Sequence, residues 1–240
     1  MATGKEEKEI RILAVSDIHN NPQALEFVER VVAGFDVDMV VDAGDMTDWG
    51  ATLDGLLVAA VERIPVPYLL VAGNHEAPGT MDALAGKGMV QVVDGLVEVR
   101  GVSVLGIPDP GSWSLSPAVK VPLLEQQRKE VEGRLSARSS PPHILVVHNP
   151  RVASTFAGQV PLIVTGHTHT AGVCQTGGTA MINPGTAGAA RRGLDPHGVA
   201  VIYLTRAGQG PAPEAVDLIS VTGIGATFTV QHVLVDRAGP

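Results

Sequence analysis

The sequence predicts an α/β fold in which two β-sheets pack against each other and helices cover their outer faces. Three observations support this prediction. Short apolar, β-branched segments alternate with helical patterns over the first third of the chain. Two further buried segments of the same kind follow near the middle, and strand-like segments dominate the last third. Alternating strands and helices indicate parallel strands joined by right-handed crossovers.

The first third of the chain contains three predicted strands and two predicted helices. Asn21 before Pro22 is typical of a helix N-cap followed by proline at the first helical position, and Gly34 is a suitable end. The two helices separate apolar segments that are short enough to be strands. In chain order we expect strand 10–15, helix 22–34, strand 39–41, helix 53–63 and strand 68–72.

From about residue 89 the pattern changes to short strands separated by Asp-Gly and Arg-Gly turns, which are typical of antiparallel hairpins. We expect hairpin strands at 90–93, 96–99 and 102–107, a helix at 123–135, buried strands at 144–147 and 162–164, and antiparallel strands at 199–204, 215–221 and 227–235. We expect residues 1–240 to form one domain, with a motif-bearing core at about 10–170 and β-rich C-terminal strands at about 173–236.

The composition is that of a globular protein with an acidic surface. The formal net charge is −8, and a surface of that sign repels polyanions, so we expect no nucleic acid polymer as a partner. Cys174 is the only cysteine, which excludes a disulfide within the chain. No apolar stretch reaches the roughly 20 residues that cross a bilayer. We therefore expect a cytoplasmic protein with no membrane segment in this chain, while its oligomeric state stays open.

Residue types that bind metals follow five of the predicted strands. Taken singly, each group has a simpler interpretation as a turn, a helix cap or a hydrogen-bonded histidine. Together they indicate a site, because ligands bind beyond the carboxyl ends of the strands in open α/β sheets. The five groups are Asp17-Ile18-His19, Gly44-Asp45, Gly73-Asn74-His75-Glu76, His148-Asn149 and Gly166-His167-Thr168-His169.

These residues offer carboxylate, imidazole and amide groups without a thiolate. That mixture suits Mn, Fe and Zn and is unlike a structural zinc cage. Seven candidate ligands exceed the needs of one tetrahedral ion and indicate two ions about 3.5–4 Å apart that share a bridging carboxylate. We expect two divalent metal ions, Mn²⁺ in the first place with Fe or Zn as alternatives. The candidate ligands are Asp17, His19, Asp45, Asn74, His148, His167 and His169.

In this order and spacing, the five motifs resemble those of the calcineurin-like metallophosphoesterases. Asn183-Pro184-Gly185-Thr186 resembles a loop of the small bacterial phosphodiesterases of this family, which often have Cys at the position of His75. The motifs span residues 17–169. The resemblance implies a four-layer αββα sandwich with two mixed β-sheets packed face to face. It also implies two ligand sets that share Asp45 as the bridge. One set is Asp17, His19, Asp45 and His169, and the other is Asp45, Asn74, His148 and His167.

The resemblance assigns roles to residues beside the metals as well. His75 would contact a phosphoryl oxygen, together with Asn74, or protonate the leaving alkoxide. Glu76 would orient His75 from behind, although many family members carry Asp at this position. Arg191 and Arg192 are candidate substrate contacts, with a solvated turn as the alternative interpretation.

The implied activity is hydrolysis of a small phosphorylated substrate through attack of a metal-bridging hydroxide. A small phosphodiester is favoured, because His75 offers a proton to the leaving group and no additional phosphate-binding domain is visible. The alternatives are a phosphomonoesterase or a nucleotide-sugar hydrolase of the same fold, and a non-catalytic scaffold of that fold. The sequence identifies neither the ester nor the native metal.

Overall fold

The computed structural model describes residues 9–48, 54–76, 78–111, 117–188, 196–207, 210–222 and 227–236. The strands are β1 (Ile10–Val15), β2 (Met39–Asp42), β3 (Tyr68–Leu70), β4 (Val90–Val92), β5 (Gly95–Val99), β6 (Val102–Gly106), β7 (Ile144–Val146), β8 (Leu162–Val164), β9 (Gly172–Thr176), β10 (Thr179–Asn183), β11 (His197–Ala207), β12 (Gly210–Thr222) and β13 (Thr227–Leu234). The helices are α1 (Pro22–Gly34), α2 (Asp54–Val61), α3 (Pro78–Leu84), α4 (Pro117–Ser136) and α5 (Pro150–Ala153), with a 3₁₀ turn at Ser154–Phe156.

The strands form two mixed sheets, as the sequence predicts. Within the described residues, the first sheet has the strand order β13-β12-β11-β1-β2-β3-β4 and the second the order β5-β6-β7-β8-β10-β9. Strands β1 to β4 run parallel, as do β6, β7, β8 and β10, and the other pairs are antiparallel. The parallel strands therefore form one side of the first sheet, with β4 at its edge, and the centre of the second sheet.

Neighbouring residues of the central strands face different layers, because side chains alternate across a sheet. In β1, Leu13 packs among the residues of α1 and α2, whereas Ile12 faces the second sheet. In β7, Ile144 faces the first sheet, whereas Leu145 packs with Val131 of α4. Three apolar layers thus lie between four layers of secondary structure, in the order helices, first sheet, second sheet, helices. This order confirms the four-layer αββα sandwich.

Helix α1 begins and ends where the sequence predicts. The side-chain oxygen of Asn21 accepts a hydrogen bond from Gln23 N at 3.0 Å, which satisfies a main-chain amide of the first turn. Pro22 fills the first helical position, where a missing N–H costs nothing. The amide Nδ2 of Asn21 also donates to Gly188 O at 3.1 Å. The cap therefore ties α1 to the 183–188 loop, which borders the candidate site.

Two predictions about the elements are wrong. Segment 90–93 was expected in an antiparallel hairpin, but β4 pairs parallel with β3 in the first sheet. The reason is α3, a short helix that is not predicted from the sequence and that provides the crossover between them. The hairpin of β5 and β6 is confirmed, with Arg100 and Gly101 in left-handed conformation at its turn. Helix α4 begins earlier than expected, at Pro117, and includes Pro122.

None of the helices in the described part of the chain combines the length and the apolar composition needed to cross a membrane.

The packing between the two sheets provides a test of the fold. Ile12 is fully buried in this layer, so Ile12→Ala removes apolar contacts and leaves a cavity. We expect this substitution to lower the free energy of unfolding by about 2–5 kcal/mol, measured by urea denaturation. Val121→Ala, at an exposed position of α4, is the matched control and should change it by less than about 0.5 kcal/mol. Equal effects of the two substitutions would contradict the layer assignment.

Candidate metal centre

The candidate ligands lie in the loops that follow five parallel strands. Strands β1, β2 and β3 are neighbours in the first sheet, and β7 and β8 are neighbours in the second. Their carboxyl ends meet along one edge of the sandwich, where ligands of such sheets bind. The structure brings together all of the predicted site residues that it describes, namely Asp17, His19, Asp45, Asn74, His75, Glu76, His148, His167 and His169.

Several candidate ligands have strained backbone conformations. The structure describes eight non-glycine residues with positive φ, and five of them belong to this site. Such conformations are uncommon without glycine and cost on the order of 1–3 kcal/mol each, and they cluster at functional sites. The five values are 56° for Asp17, 48° for His19, 58° for Asp45, 70° for His167 and 57° for His169.

Hydrogen bonds between loops hold this backbone in place. Asp17 N donates to Gly44 O at 2.8 Å, and His19 N donates to Asp45 O at 3.0 Å. The two sheets are also joined, because His167 N donates to Asp17 Oδ2 at 3.0 Å. The ligand-bearing loops are therefore parts of one hydrogen-bonded frame.

Two glycines allow this close approach. A Cβ atom on Gly73 would collide with the carboxylate and the main-chain nitrogen of Asp45. A Cβ atom on Gly166 would collide with the hydroxyl of Ser16 and with the carboxylate of Asp17. The glycines of the Gly-Asn-His and Gly-His-x-His motifs thus provide space for the carboxylates.

Asp17, His19 and His169 form the first candidate metal-binding group. Asp17 Oδ1 lies 3.0 Å from His169 Nε2 and 3.6 Å from His19 Nε2, and the two imidazole nitrogens are 3.2 Å apart. The other carboxylate oxygen, Oδ2, accepts hydrogen bonds from the Ser16 hydroxyl at 2.6 Å and from His167 N. Because its two oxygens have different partners, Asp17 presents Oδ1 alone to the histidines.

Asp45, His148 and His167 form the second group. Asp45 Oδ2 is 3.1 Å from His148 Nε2. The opposite ring nitrogen of His148, Nδ1, lies 2.9 Å from Ala43 O and must donate to it, since a carbonyl only accepts. Asn74 joins this group through its Oδ1, which lies 2.7 Å from His167 Nδ1. The amide oxygen thus lies within the same cluster.

Asp45 lies between the two groups. Its Oδ2 faces His148 in the second group and is also 3.9 Å from His19 Nε2 in the first. The same oxygen is 3.9 Å from His75 Nε2, and its partner Oδ1 accepts a hydrogen bond from His75 N at 3.0 Å. This position is the one that a carboxylate bridging two cations would need.

The arrangement fits bound cations. Since His148 donates from Nδ1, its neutral ring carries a lone pair on Nε2, and this atom is buried without a hydrogen-bond partner among the described residues. Asp17 Oδ1 is buried and unpartnered in the same sense. Lone pairs directed at one another in a buried site need a positive charge between them. Carboxylate, imidazole and amide ligands suit a divalent transition metal at this position.

The pKa values indicate the same need for positive charge. Burial by itself would lower the pKa of His148, but the adjacent Asp45 outweighs it and raises that pKa to about 10. Burial would likewise lower the pKa of His19, but Asp17 and Asp48 raise it to about 9. Burial would raise the pKa of Asp17, yet the adjacent His169 and His19 hold that pKa well below its usual range. The site therefore binds protons on its histidines when no metal competes for them.

A further carboxylate, Asp48, contacts two of the histidines, although it belongs to none of the five sequence motifs. Its Oδ1 accepts hydrogen bonds from His19 Nδ1 at 2.8 Å and from His75 Nδ1 at 3.0 Å. The two rings are perpendicular, with their centroids 4.9 Å apart. Asp48 therefore turns Nε2 of both rings toward Asp45. Its place three residues after Asp45, in the same loop, was the available signal.

The predicted role of Glu76 needs correction. Its two oxygens accept hydrogen bonds from Met46 N at 2.5 Å and from Gly73 N at 2.6 Å, so they join the loops after β2 and β3. Both amides donate to this buried carboxylate, and burial together with Asp45 raises the pKa of Glu76 to about 8. Asp48, rather than Glu76, orients the ring of His75.

The other predicted substrate contacts, Arg191 and Arg192, lie outside the described residues.

Comparison with known proteins identifies the class. Residues 10–207 match the family model of the calcineurin-like phosphoesterase superfamily domain. The chain therefore belongs to the calcineurin-like phosphoesterase superfamily, a family of metal-dependent enzymes. This match covers β1 to β11 and all of the candidate ligands, and it confirms the family resemblance noted in the sequence.

The individual relatives have low sequence identity to this chain. The chain is 30% identical over 172 residues to an uncharacterized metallophosphoesterase of Aquifex aeolicus, covering 67% of this chain but only 63% of that relative's length. GAP50, described as the anchor in the inner membrane complex of Plasmodium, is a structural neighbour with a TM-score of 0.62 at 13% identity, covering 96% of this chain and 90% of that one. A dimetal phosphatase of Danio rerio has a TM-score of 0.59 at 12% identity, covering 92% and 98%. At these identities the solved structures support the fold alone.

The raised histidine pKa values predict a pH dependence for metal-free protein. The stabilisation from protons on His19 and His148 is complete below their ordinary pKa of 6.5 and is lost as the pH rises through about 9 and 10. Glu76 acts in the same direction, because its ionisation through a pKa of about 8 leaves a buried charge. After chelation we expect the free energy of unfolding to fall from pH 7 to pH 10, by about 1.4 kcal/mol per pH unit for each proton bound in excess by the folded state.

Urea denaturation at several pH values measures this slope. Saturating Mn²⁺ should flatten it, because the metal supplies the positive charge that the protons otherwise give. A metal-free protein whose stability is constant or rises over this pH range would contradict the prediction.

Proposed function

We propose that this protein is a dinuclear metal-dependent phosphoesterase that hydrolyses a small phosphodiester. The position of Asp45 carries the proposal, because its Oδ2 faces His148 on one side and His19 on the other. The first metal ion would be held by Asp17, His19, Asp45 and His169, and the second by Asp45, Asn74, His148 and His167.

When bound, two such ions supply an acidified water molecule and neutralise charge on the phosphoryl oxygens. The chain's own residues provide the rest. Asp45 sets the spacing of the two groups, and Ser16 together with His167 N fixes the orientation of Asp17. Neither group depends on a flexible side chain at the surface, because Asp17, Asp45 and His148 are buried.

His75 is suited to act on the leaving group. Its Nδ1 is held by Asp48, and its Nε2 points toward the same carboxylate oxygen that the two metal groups share. A proton on Nε2 would therefore lie beside the reacting phosphorus and could pass to the departing alkoxide. General-acid catalysis of this kind contributes typically 10²–10⁴-fold to the rate. This benefit is greatest for esters with a poor leaving group, which supports an ester with an alkoxide leaving group as substrate.

A substrate panel tests the activity. Purified protein with added Mn²⁺ is assayed on an aryl phosphate, a bis-aryl phosphate, and 2′,3′- and 3′,5′-cyclic nucleotides. We expect hydrolysis that chelation abolishes and a preference for the diesters. Strict preference for the monoester would reject the diesterase assignment. An intact fold that binds no transition metal and hydrolyses none of these esters would instead favour a scaffold.

Asp45→Asn tests the bridging position in the same assay. We expect it to remove at least one metal ion per chain, measured by elemental analysis. Activity should fall by more than about a hundredfold, since even the outer partners of metal ligands matter by roughly 10–100-fold. Asp36→Asn is the matched control, because the Asp36 side chain is exposed. The backbone of Asp36 already has a positive φ, which Asn tolerates. Full metal content in Asp45→Asn would refute the bridging role.

His75→Ala separates the leaving-group role from metal binding. We expect both metal ions to stay and kcat to fall about 10²–10⁴-fold on a diester with an alkoxide leaving group. The loss should be much smaller with 4-nitrophenoxide, which departs without a proton. Asp48→Asn should show the same dependence on the leaving group with a smaller loss. An equal loss on both substrates would contradict the acid role.

A further inference from the structure

The strand β13 leaves one edge of the first sheet open. It pairs with β12 along its whole length, and within the described residues no strand pairs with its other side. An edge of this kind presents a row of unpaired N–H and C=O groups that can bind another strand. At eight residues, β13 is long for an edge strand, which natural proteins tend to keep short.

The sequence of β13 has none of the features that usually protect an edge. Residues 227–234 read TFTVQHVL, without proline and without Asp, Glu, Lys or Arg. Its large apolar side chains are exposed, with 53% of Phe228, 44% of Val230 and 68% of Leu234 accessible to solvent. These three occupy alternate positions and so share one face of the strand. An edge that is both apolar and uncharged favours association.

The strand is also held in place before any partner binds. Gln175 Nε2 donates to Leu234 O at 3.0 Å, and Asp236 N donates to Gln175 Oε1 at 2.8 Å, so β9 fixes one end of β13. Near its middle, His232 Nδ1 lies 2.6 Å from Asp217 Oδ1 on β12. Because the strand is already ordered, pairing with it avoids much of the entropy loss of folding a new strand.

We propose that β13 pairs antiparallel with β13 of a second copy of this chain, around a twofold axis at Gln231. In this register Phe228 lies opposite Leu234 of the second copy, so the two most exposed large side chains of the strand cover each other in both halves of the interface. Val230 lies opposite His232 of the second copy. A twofold arrangement uses the same surface on both copies, which is the commonest way for soluble proteins to associate.

Charge favours a second copy as the occupant. The chain carries a net charge of −8, so most of its surface would repel its own copies. The β13 edge carries no Asp, Glu, Lys or Arg and therefore brings none of these charges together. Leu234 O already accepts from Gln175 on the open side of the strand, so pairing would form about six main-chain hydrogen bonds and join the two seven-stranded sheets into one. Strand pairing alone buries less than a standard interface, so the dimer should dissociate on dilution.

Cysteine cross-linking tests the register. In a Cys174→Ser background, which removes the exposed native thiol, Gln231→Cys should form a disulfide-linked dimer under mild oxidation, because the two residues face each other across the axis. Thr229→Cys alone should not cross-link, but it should when mixed with Val233→Cys, its partner in this register. All three side chains lie on the same face of the strand. Cross-linking of Thr229→Cys alone, with none at Gln231, would overturn the register.

Light scattering on the full chain tests the association itself. We expect a dimer that dissociates over a roughly hundredfold dilution. Val230→Lys should give a monomer at every concentration, because lysine is a natural protection of sheet edges. Val121→Lys is the matched control, since Val121 is exposed on α4 and should leave the dimer intact. Circular dichroism and bound-metal content establish that both variants are folded. A native chain that is monomeric throughout, or a Val230→Lys variant that still dimerises, would overturn the proposal.

Discussion

Two carboxylates buried side by side are the constraint on which this structure depends. Asp17 and Asp45 are almost inaccessible to solvent, and each raises the cost of ionising the other. Removing a charge from water costs several kcal/mol unless an opposite charge is close. Five histidines surround the pair, and the lone pairs that face its interior need a cation. The cluster is therefore stable only with bound protons or metal ions, which links its chemistry directly to its folding.

The loops around these carboxylates are built to keep them in place. Asp17 is fixed through its side chain by Ser16 and through its carbonyl oxygen by Thr186, whose hydroxyl donates at 2.8 Å. Glu76 joins two loops by accepting main-chain hydrogen bonds on both oxygens. The strained conformations of the ligand residues persist because more than one hydrogen bond of this network holds them. A rigid frame of this kind holds ligands at fixed positions, as catalysis by paired metals requires.

The first sheet has different roles at its two sides. Its central parallel strands end at the candidate metal centre, where burial is nearly complete. The antiparallel strands β11, β12 and β13 extend away from that centre, and exposure increases toward the β13 edge. The apolar residues of β13 add little to the interior, because more than half of Phe228 and Leu234 and nearly half of Val230 stay in solvent. The candidate metal centre and the proposed β13 interface can thus lie apart within one fold, since they share no residue.

The sequence by itself determined the order of the central strands and helices, the position of the edge that carries the site, and its polar residues. These features are local: a strand ends where its apolar run ends, and Asn21 caps α1 through its own side chain. The sequence could not determine that β4 joins β3 in parallel, since a three-residue strand has too little pattern to define its partner. Nor could it identify Asp48 as the residue that orients His75, or give Glu76 its main-chain partners. Those assignments depend on which loops approach across two sheets, and only the tertiary structure decides such distances.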